Sequence, residues 1–328
     1  MQYRKLGSTD IEVSTIAMGC WAIVGDATWG PQEEVESIAT IEAAIESGIT
    51  LFDTAEAYGN GYSEEVLGKV LPAHRDAVVI ASKFGAGRPV SEIREACEDS
   101  LKRLKTDWID LYQIHWPSSE LPYEEAYSIL EGLKDEGKIR SIGVSNFGEQ
   151  DLDAYLQVGR AESNQLAYNM LFRALEHAIR PRCEAEQIGI LCYSPLAQGL
   201  LTGKFTSADE VPEGRARTRL FSKDRPQSKH GEEGAETEVF EALAEVREIS
   251  GRIGRPMADV ALAWLLQQGG VTSVLAGMRN VDQVAENARA GDLVLPDDVL
   301  RDLSEATEPV KAKLGTNPDM WNHESRIH

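Results

Sequence analysis

The chain has 328 residues, is 42% hydrophobic and carries a net charge of −21. It has the apolar content of a packed globular protein, and its charge disfavours nucleic acid or an anionic membrane as a partner. No apolar run approaches the ~20 residues of a membrane helix, and Met1–Gly7 lacks the apolar core of a signal peptide, so a cytoplasmic location is expected. The four cysteines, Cys20, Cys97, Cys183 and Cys192, form no C-x-x-C pair and have no histidine at metal spacing. They read as reduced, buried thiols, and no metal is expected. The acidic surface fits a high-salt source and an ordinary acidic coat alike.

In chain order, residues 2–7 and 11–16 alternate across Ser8-Thr9-Asp10 and predict an N-terminal β-hairpin, with 1–13 as its unit. An apolar run from Thr15 to Cys20 is the first core strand, and helix 33–47 follows, stopped by Gly48. The pattern then repeats. Strand 49–55 precedes helix 62–70, and strand 78–83 precedes helix 92–104, with Ser91 as its N-cap. Strand 110–115 precedes helix 123–136, and strand 139–145 precedes helix 149–158. Residues 162–168 precede helix 175–187, and strand 189–194 follows. Regularity then breaks from Leu201 to about Glu236. Helices resume at 236–250 and 257–268, strand 273–277 leads to helices 280–289 and 297–306, and an extended tail runs from Pro309 to His328.

Eight core strands, most followed by a helix, imply parallel pairing with right-handed crossovers. The expected fold is α/β, a (β/α)₈ TIM barrel in one domain, 1–328, with the hairpin at its start and a long loop after strand seven. An open doubly wound sheet would want a G-x-G-x-x-G turn after its first strand, and Met18-Gly19-Cys20-Trp21-Ala22 does not match one.

Three strands in succession deliver a polar group at their C-terminal ends: Asp53, Lys83 and His115. Active sites of such barrels lie on that rim. Neighbouring strands are about 4.8 Å apart, so Lys83 would sit between Asp53 and His115, with Tyr58 folding back over it from the loop after strand two. A free tyrosine titrates near pH ~10, and an adjacent ammonium would ease release of its proton. Singly, each residue has an ordinary explanation as a turn, packing or ion-pair residue. Together, on one rim, they favour a catalytic site. Trp21, Trp116, loop 201–235 and Trp321 in the tail are candidate walls for a substrate pocket.

At this point the sequence is identified as resembling the aldo-keto reductase superfamily. The residues that carry the resemblance are Asp53-Thr54-Ala55-Glu56-Ala57-Tyr58-Gly59, Lys83, Gln113-Ile114-His115-Trp116-Pro117, Gly143-Val144-Ser145-Asn146-Phe147, Tyr193-Ser194-Pro195-Leu196 and Gly277-x-Arg279-x-x-x-Gln283-x-x-Glu286-Asn287. They run in order over essentially the whole chain. The closest likeness is to soluble bacterial members related to potassium-channel β subunits. The resemblance implies an NADP(H)-dependent reductase of aldehydes and ketones, acting on small molecules and expected as a monomer. Its tetrad falls on Asp53, Tyr58, Lys83 and His115, with Tyr58 as general acid. The resemblance further places Ser145, Asn146 and Gln165 at the nicotinamide carboxamide and Tyr193 on its ring. Ser194, Leu196, Gly199 and Lys204 would line the pyrophosphate path, and Gly277, Arg279, Gln283, Glu286 and Asn287 the adenosine end. Many members have a lysine just before that last glycine. Here it is Ala276, which leaves the 2′-phosphate to Arg279 and the long loop. Trp21, Tyr58, His115 and Trp116 would meet the substrate.

Two other functions compete. One is a nucleotide-binding regulatory or scaffold subunit with slow turnover, against which the intact tetrad counts, above all His115, absent from the channel-associated relatives. The other is a metal-dependent hydrolase or isomerase using Asp53 and His115, which leaves Lys83 and Tyr58 unexplained.

The long loop adds a charge anomaly. Between Glu213 and His230 stand Arg215, Arg217, Arg219, Lys223, Arg225 and Lys229 against only Glu213 and Asp224, a local +4. The expectation is a cofactor loop over 201–235, hinged at Gly203 and Gly214 and mobile until it closes. One or more of Arg215, Arg217 and Arg219 would lie near the coenzyme phosphates.

Overall fold

A computed structural model describes residues 1–26, 28–85 and 87–328. Two short strands, β1 (Tyr3–Lys5) and β2 (Glu12–Ser14), pair antiparallel as the predicted hairpin. Eight parallel strands then close a barrel: β3 (Ile16–Gly19), β4 (Leu51–Asp53), β5 (Val79–Phe84), β6 (Ile109–Ile114), β7 (Ile139–Ser145), β8 (Ser163–Ala167), β9 (Gly189–Tyr193) and β10 (Val271–Gly277). Each pairs with its sequence neighbours, and β10 pairs with β3 to close the ring.

Period-two alternation divides six of the eight barrel strands between two cores. Ala17, Leu51, Ala81, Leu111, Leu191 and Leu275 cluster together, and Leu6 and Val13 of the hairpin join them. The hairpin therefore stoppers the N-terminal mouth of the barrel. The alternate residues, among them Ile16, Met18, Phe52, Ile80 and Tyr112, belong to the larger core shared with the helices.

The helices are α1 (Glu34–Glu46), α2 (Tyr62–Val70), α3 (Ile93–Leu104), α4 (Tyr123–Asp135), α5 (Glu149–Leu156), α6 (Ile179–Ala185), α7 (Glu236–Arg252), α8 (Met257–Leu266), α9 (Val281–Ala290) and α10 (Asp297–Leu314). Gly48 ends α1 as expected, at φ 82°.

Three elements differ from the sequence reading. The helix expected over 175–187 is a 3₁₀ turn, Ala174–Glu176, followed by α6, because Ala178 leaves the helical region (φ −141°). Pro181 explains the break, since in a continuous helix its ring would clash with the carbonyl four residues back. Ser91 does not cap α3. It lies inside a 3₁₀ turn, Val90–Glu92, started by Pro89 (φ −53°). The last helix runs to Leu314 with Pro309 inside it, so the extended tail begins only after that. Val310 and Leu314 are buried, and that apolar face holds the helix across a residue that cannot donate its bond.

Candidate active site

Strand register fixes the centre of the site. Gly19 pairs with Asp53, Asp53 with Ala81 and Lys83 with Gln113, so Lys83 stands two residues farther along its strand than the position facing Asp53. Its long side chain reaches back. The ammonium has three donors, and all three are used: Nζ donates to Asp53 Oδ1 at 2.7 Å, to the Thr54 carbonyl at 2.8 Å and to the Tyr58 hydroxyl at 3.3 Å. Lys83 is fully buried and Asp53 nearly so, a placement tolerated only because each charge is paired and hydrogen-bonded. Burial opposes the charge on Lys83, but Asp53 and Tyr58 outweigh it and raise the lysine above its ordinary value. The far oxygen of Asp53, Oδ2, accepts Gln165 Nε2 at 2.7 Å and Gln113 Nε2 at 3.5 Å.

Tyr58 lies where the sequence put it. Its ring stacks on Trp21 at 6.1 Å and meets the His115 ring edge-on at 5.8 Å. Its acidity differs from the expectation. Burial raises the phenol above its ordinary value, and the nearby Lys83 charge offsets this only in part. Tyr58 thus stays protonated at neutral pH, which suits a proton donor better than a base. Burial, and next the Lys83 charge, push His115 down to about 3. Its ring is therefore neutral at physiological pH, with one nitrogen to donate and one to accept.

One cleft of about 970 Å³ opens over this centre and is lined by every other residue that the resemblance assigned. Asn146, a non-glycine residue at φ 64°, donates through Nδ2 to the His115 carbonyl at 3.1 Å and accepts the Tyr193 hydroxyl at 2.9 Å. Ser145 donates to the Gln165 carbonyl at 3.0 Å. Gln165 commits Nε2 to Asp53, while Oε1 has no partner among the described residues.

Farther along the cleft the backbone is strained. Ser194 (φ 51°), Ala197 (46°), Gln198 (55°) and Gly199 (99°) all take the left-handed region, which side chains other than glycine's seldom adopt. A Cβ on Gly199 would meet Lys204 Nζ at 3.0 Å. Both amide atoms of Gln198 and Nε of Arg215 are buried without a hydrogen-bond partner among the described residues. Lys204 and Arg215 form no ion pair there, and both are shifted down, Lys204 by burial and then Arg215, Arg215 by burial and then Arg279. Unused donors and clustered cations on a strained turn fit a pyrophosphate. The residues present therefore suit a dinucleotide.

At the other end, Gly277, Gln283, Glu286 and Asn287 line the cleft. Arg279 does not offer the open fork expected of a 2′-phosphate receptor. Its guanidinium donates to Gln32 Oε1 and to the carbonyls of Trp29, Gly30 and Pro31, and Gln32 Nε2 returns a bond to its carbonyl. Arg279 clasps the 29–32 segment to the cleft.

The long loop corrects the charge reading. Arg219 is buried and bonds both oxygens of Glu232 and the carbonyls of Leu314, Asn317 and Asp319, which commits it to the tail and not to phosphate. Arg225 forks onto Glu236 and reaches Asp209, and Lys223 pairs with Glu233. The partners lie outside the 213–230 window, so the apparent +4 was an artefact of where the count stopped. Val211, Ala216, Leu220 and Phe221 are buried, and the loop is packed over much of its length.

Several residues in or behind the site were missed. Trp29 was signalled by an aromatic beside Gly30-Pro31 after a barrel strand, and Gln113 by its place before Ile114-His115. Arg326 and its partner Asp319 had no local signal, being seven residues apart in a stretch without periodicity.

Similar sequences and the same architecture occur in known proteins. The sequence model of the Aldo/keto reductase family matches residues 15–308. "Aldo-keto reductase YhdN" of Bacillus subtilis is 38% identical over 298 residues, 87% of each chain. The "NADH-specific methylglyoxal reductase" of Escherichia coli is 34% identical over 94% of this chain and 100% of its own. Among solved structures, a glycerol dehydrogenase from Gluconobacter oxydans superposes with a TM-score of 0.79 at 31% identity, covering 96% of this chain and 97% of its own. An aldo-keto reductase from Klebsiella pneumoniae in complex with NADPH gives 0.74 at 28%, covering 93% and 94%. With eight parallel strands closed into a ring, a Lys83–Asp53 pair beneath Tyr58 and a family match spanning that whole ring, the chain belongs to the aldo/keto reductase family.

Proposed function

We propose that this chain is an NADP(H)-dependent oxidoreductase that reduces an aldehyde or ketone to an alcohol, with Tyr58 as general acid. The reading rests above all on the Lys83 ammonium, whose three bonds tie Asp53, the Thr54 carbonyl and the Tyr58 hydroxyl into one buried unit. A carbonyl oxygen between Tyr58 and His115 would accept from the phenol and from the neutral imidazole. As negative charge develops on that oxygen, Tyr58 gives up its proton, and Lys83 stabilises the phenolate left behind. Asp53 keeps the lysine charged and aimed, and Gln165 and Gln113 hold Asp53.

A bound nicotinamide coenzyme would supply the hydride. Ser145, Asn146, Gln165 and Tyr193 would hold its nicotinamide. Ser194, Leu196, Gly199, Lys204 and Arg215 would hold its pyrophosphate, and Gly277, Gln283, Glu286 and Asn287 its adenosine. The choice of the phosphorylated coenzyme rests on Arg215, whose buried Nε has no partner among the described residues, since Arg279 is committed to the 29–32 segment. A monomer is proposed as the working unit. Purified protein should oxidise NADPH when given benzaldehyde, with EDTA making no difference. No consumption of NADPH or NADH with a panel of aldehydes and ketones would sink the reading.

A further inference from the structure

The sequence offers Arg215 and Arg217 as candidates for the coenzyme phosphates, and in the structure their neighbours differ. Arg215 lies near Lys204 and Arg279. Arg217 lies on the tail side, its guanidinium carbon 4.9 Å from the Trp321 ring centre. Among the described residues its one hydrogen bond is to Thr28 Oγ1 at 3.5 Å, and its buried Nε has no partner.

A second guanidinium stands on the same side. Arg326 lies over the Trp116 ring, its carbon 3.8 Å from the centre, and Trp116 directly follows His115 in the chain. Asp319 grips one edge of Arg326, Nε at 2.7 Å and Nη2 at 3.0 Å. Asp319 also accepts the backbone N–H groups of Trp321 and Asn322, is wholly buried and does not line the cleft. The carboxylate therefore sits behind the arginine, and a ligand would meet the cation. Nη1 of Arg326 has no partner among the described residues.

The tail that carries Arg326 is fixed at several points. Arg219 bonds its Asn317 and Asp319 carbonyls, Ile327 is buried, and His328 donates its N–H to the Asp151 carboxylate at the start of α5 while its carbonyl accepts the Asp151 N–H. Such an arginine loses little freedom on binding. On this side of the cleft the lining carboxylate is Asp53, which is committed to Lys83. Two guanidinium groups on aromatic faces line this side of the cleft, while Asp319, the ion-pair partner of Arg326, does not line it, and Asp26, which acts on Arg217, does not either.

We propose that Arg326 on Trp116 and Arg217 beside Trp321 form an anion-accepting mouth, and that favoured substrates are carbonyl compounds carrying a carboxylate. The inference deepens the carbonyl-reductase reading and takes its substrate class from it. A carboxylate would accept charge-assisted hydrogen bonds from the guanidinium groups while the carbonyl faces Tyr58.

The test compares kcat/KM for 4-carboxybenzaldehyde with that for benzaldehyde. The ratio should exceed one in the wild type and fall by about tenfold or more in Arg326→Gln. Because that change leaves Asp319 unpaired and can loosen the tail, Arg217→Gln is measured beside it and should lower the ratio too. Arg326→Lys, which keeps a charge, should keep part of the preference. A second arm needs no turnover: benzoate should quench tryptophan fluorescence saturably, and its Kd should rise about tenfold in Arg326→Gln. A wild-type ratio at or below one, or a ratio that both substitutions leave alone, overturns the proposal. If neither aldehyde is reduced while benzoate still binds in an Arg326-dependent way, the reductase reading fails and the anion-accepting mouth stands.

Discussion

The catalytic rim and the long loop after β9 treat charge in opposite ways. At the rim, every donor of Lys83 has a protein acceptor, and both oxygens of Asp53 are engaged. Along the loop, the cations divide. Arg219, Lys223 and Arg225 form ion pairs with carboxylates, while Lys204, Arg215 and Arg217 face the cleft with no ion pair among the described residues, Arg217 having Asp26 only in its wider surroundings. The difference separates charge that builds a site from charge left available for a ligand. A buried group whose bonds are all internal sets geometry and acidity, whereas one with orphaned donors at a cleft wall awaits an anion.

The largest effects should follow from opening the closed network. Tyr58→Phe keeps the ring and removes the proton, and should lower kcat by about 10²–10⁴ with little change in NADPH affinity. Lys83→Met should abolish turnover in single-turnover assays. A Tyr58→Phe enzyme with near wild-type kcat would remove the acid from the rim.

Arg219→Gln should destabilise the fold by about 3 kcal/mol, because it removes the buried partner of Glu232 and of the carbonyls of Leu314, Asn317 and Asp319. Urea unfolding would read the loss. A change below about 0.5 kcal/mol would return Arg219 to the exposed class.

His115 sharpens the contrast through pH. Its folded value is depressed from 6.5 to about 3, so the folded state binds fewer protons than the unfolded state in that window. Its contribution is complete above 6.5 and erodes as pH falls toward 3, on the order of a few kcal/mol in all. Stability of the wild type should therefore drop faster on acidification than that of His115→Gln. For the same reason kcat/KM should show no acid limb near 6.5, and an NMR titration of the ring at its ordinary value would contradict this.

The mildest effect belongs to the open cations. Arg215→Gln should raise the NADPH dissociation constant about tenfold, with the penalty shrinking as salt is added. Arg219→Gln should show no such salt dependence. If the two variants behave alike, the division of the loop into bound and available charge fails.

Much of the barrel was legible because its determinants are local. Each strand is an apolar run, and Asp53, Lys83 and His115 mark the same end of three of them. The reading failed where a residue's partner is distant. Arg219 bonds Asp319 across 100 positions, and nothing between residues 213 and 230 announces it. The acidity of Tyr58 was misjudged because a sequence places Lys83 nearby but does not reveal how dry the site is. Pro309 looked like a stop until its neighbours Val310 and Leu314 proved to be buried.

The pairing of β10 with β3 also bears on the order in which the chain can fold. Arg4 bonds the carbonyls of Leu266 and Val271, and Val274 pairs with Ile16, so the first strands made on the ribosome wait for nearly the last. Until residue 277 has emerged, Leu6 and Val13 lack Leu275, one wall of their seat, and the edge of β3 lies unpaired. An exposed parallel edge held for that long invites association with other chains, and closure across so large a sequence separation is slow. The acidic coat then has a role before the fold exists: a nascent chain this negative repels its copies while its ring is still open.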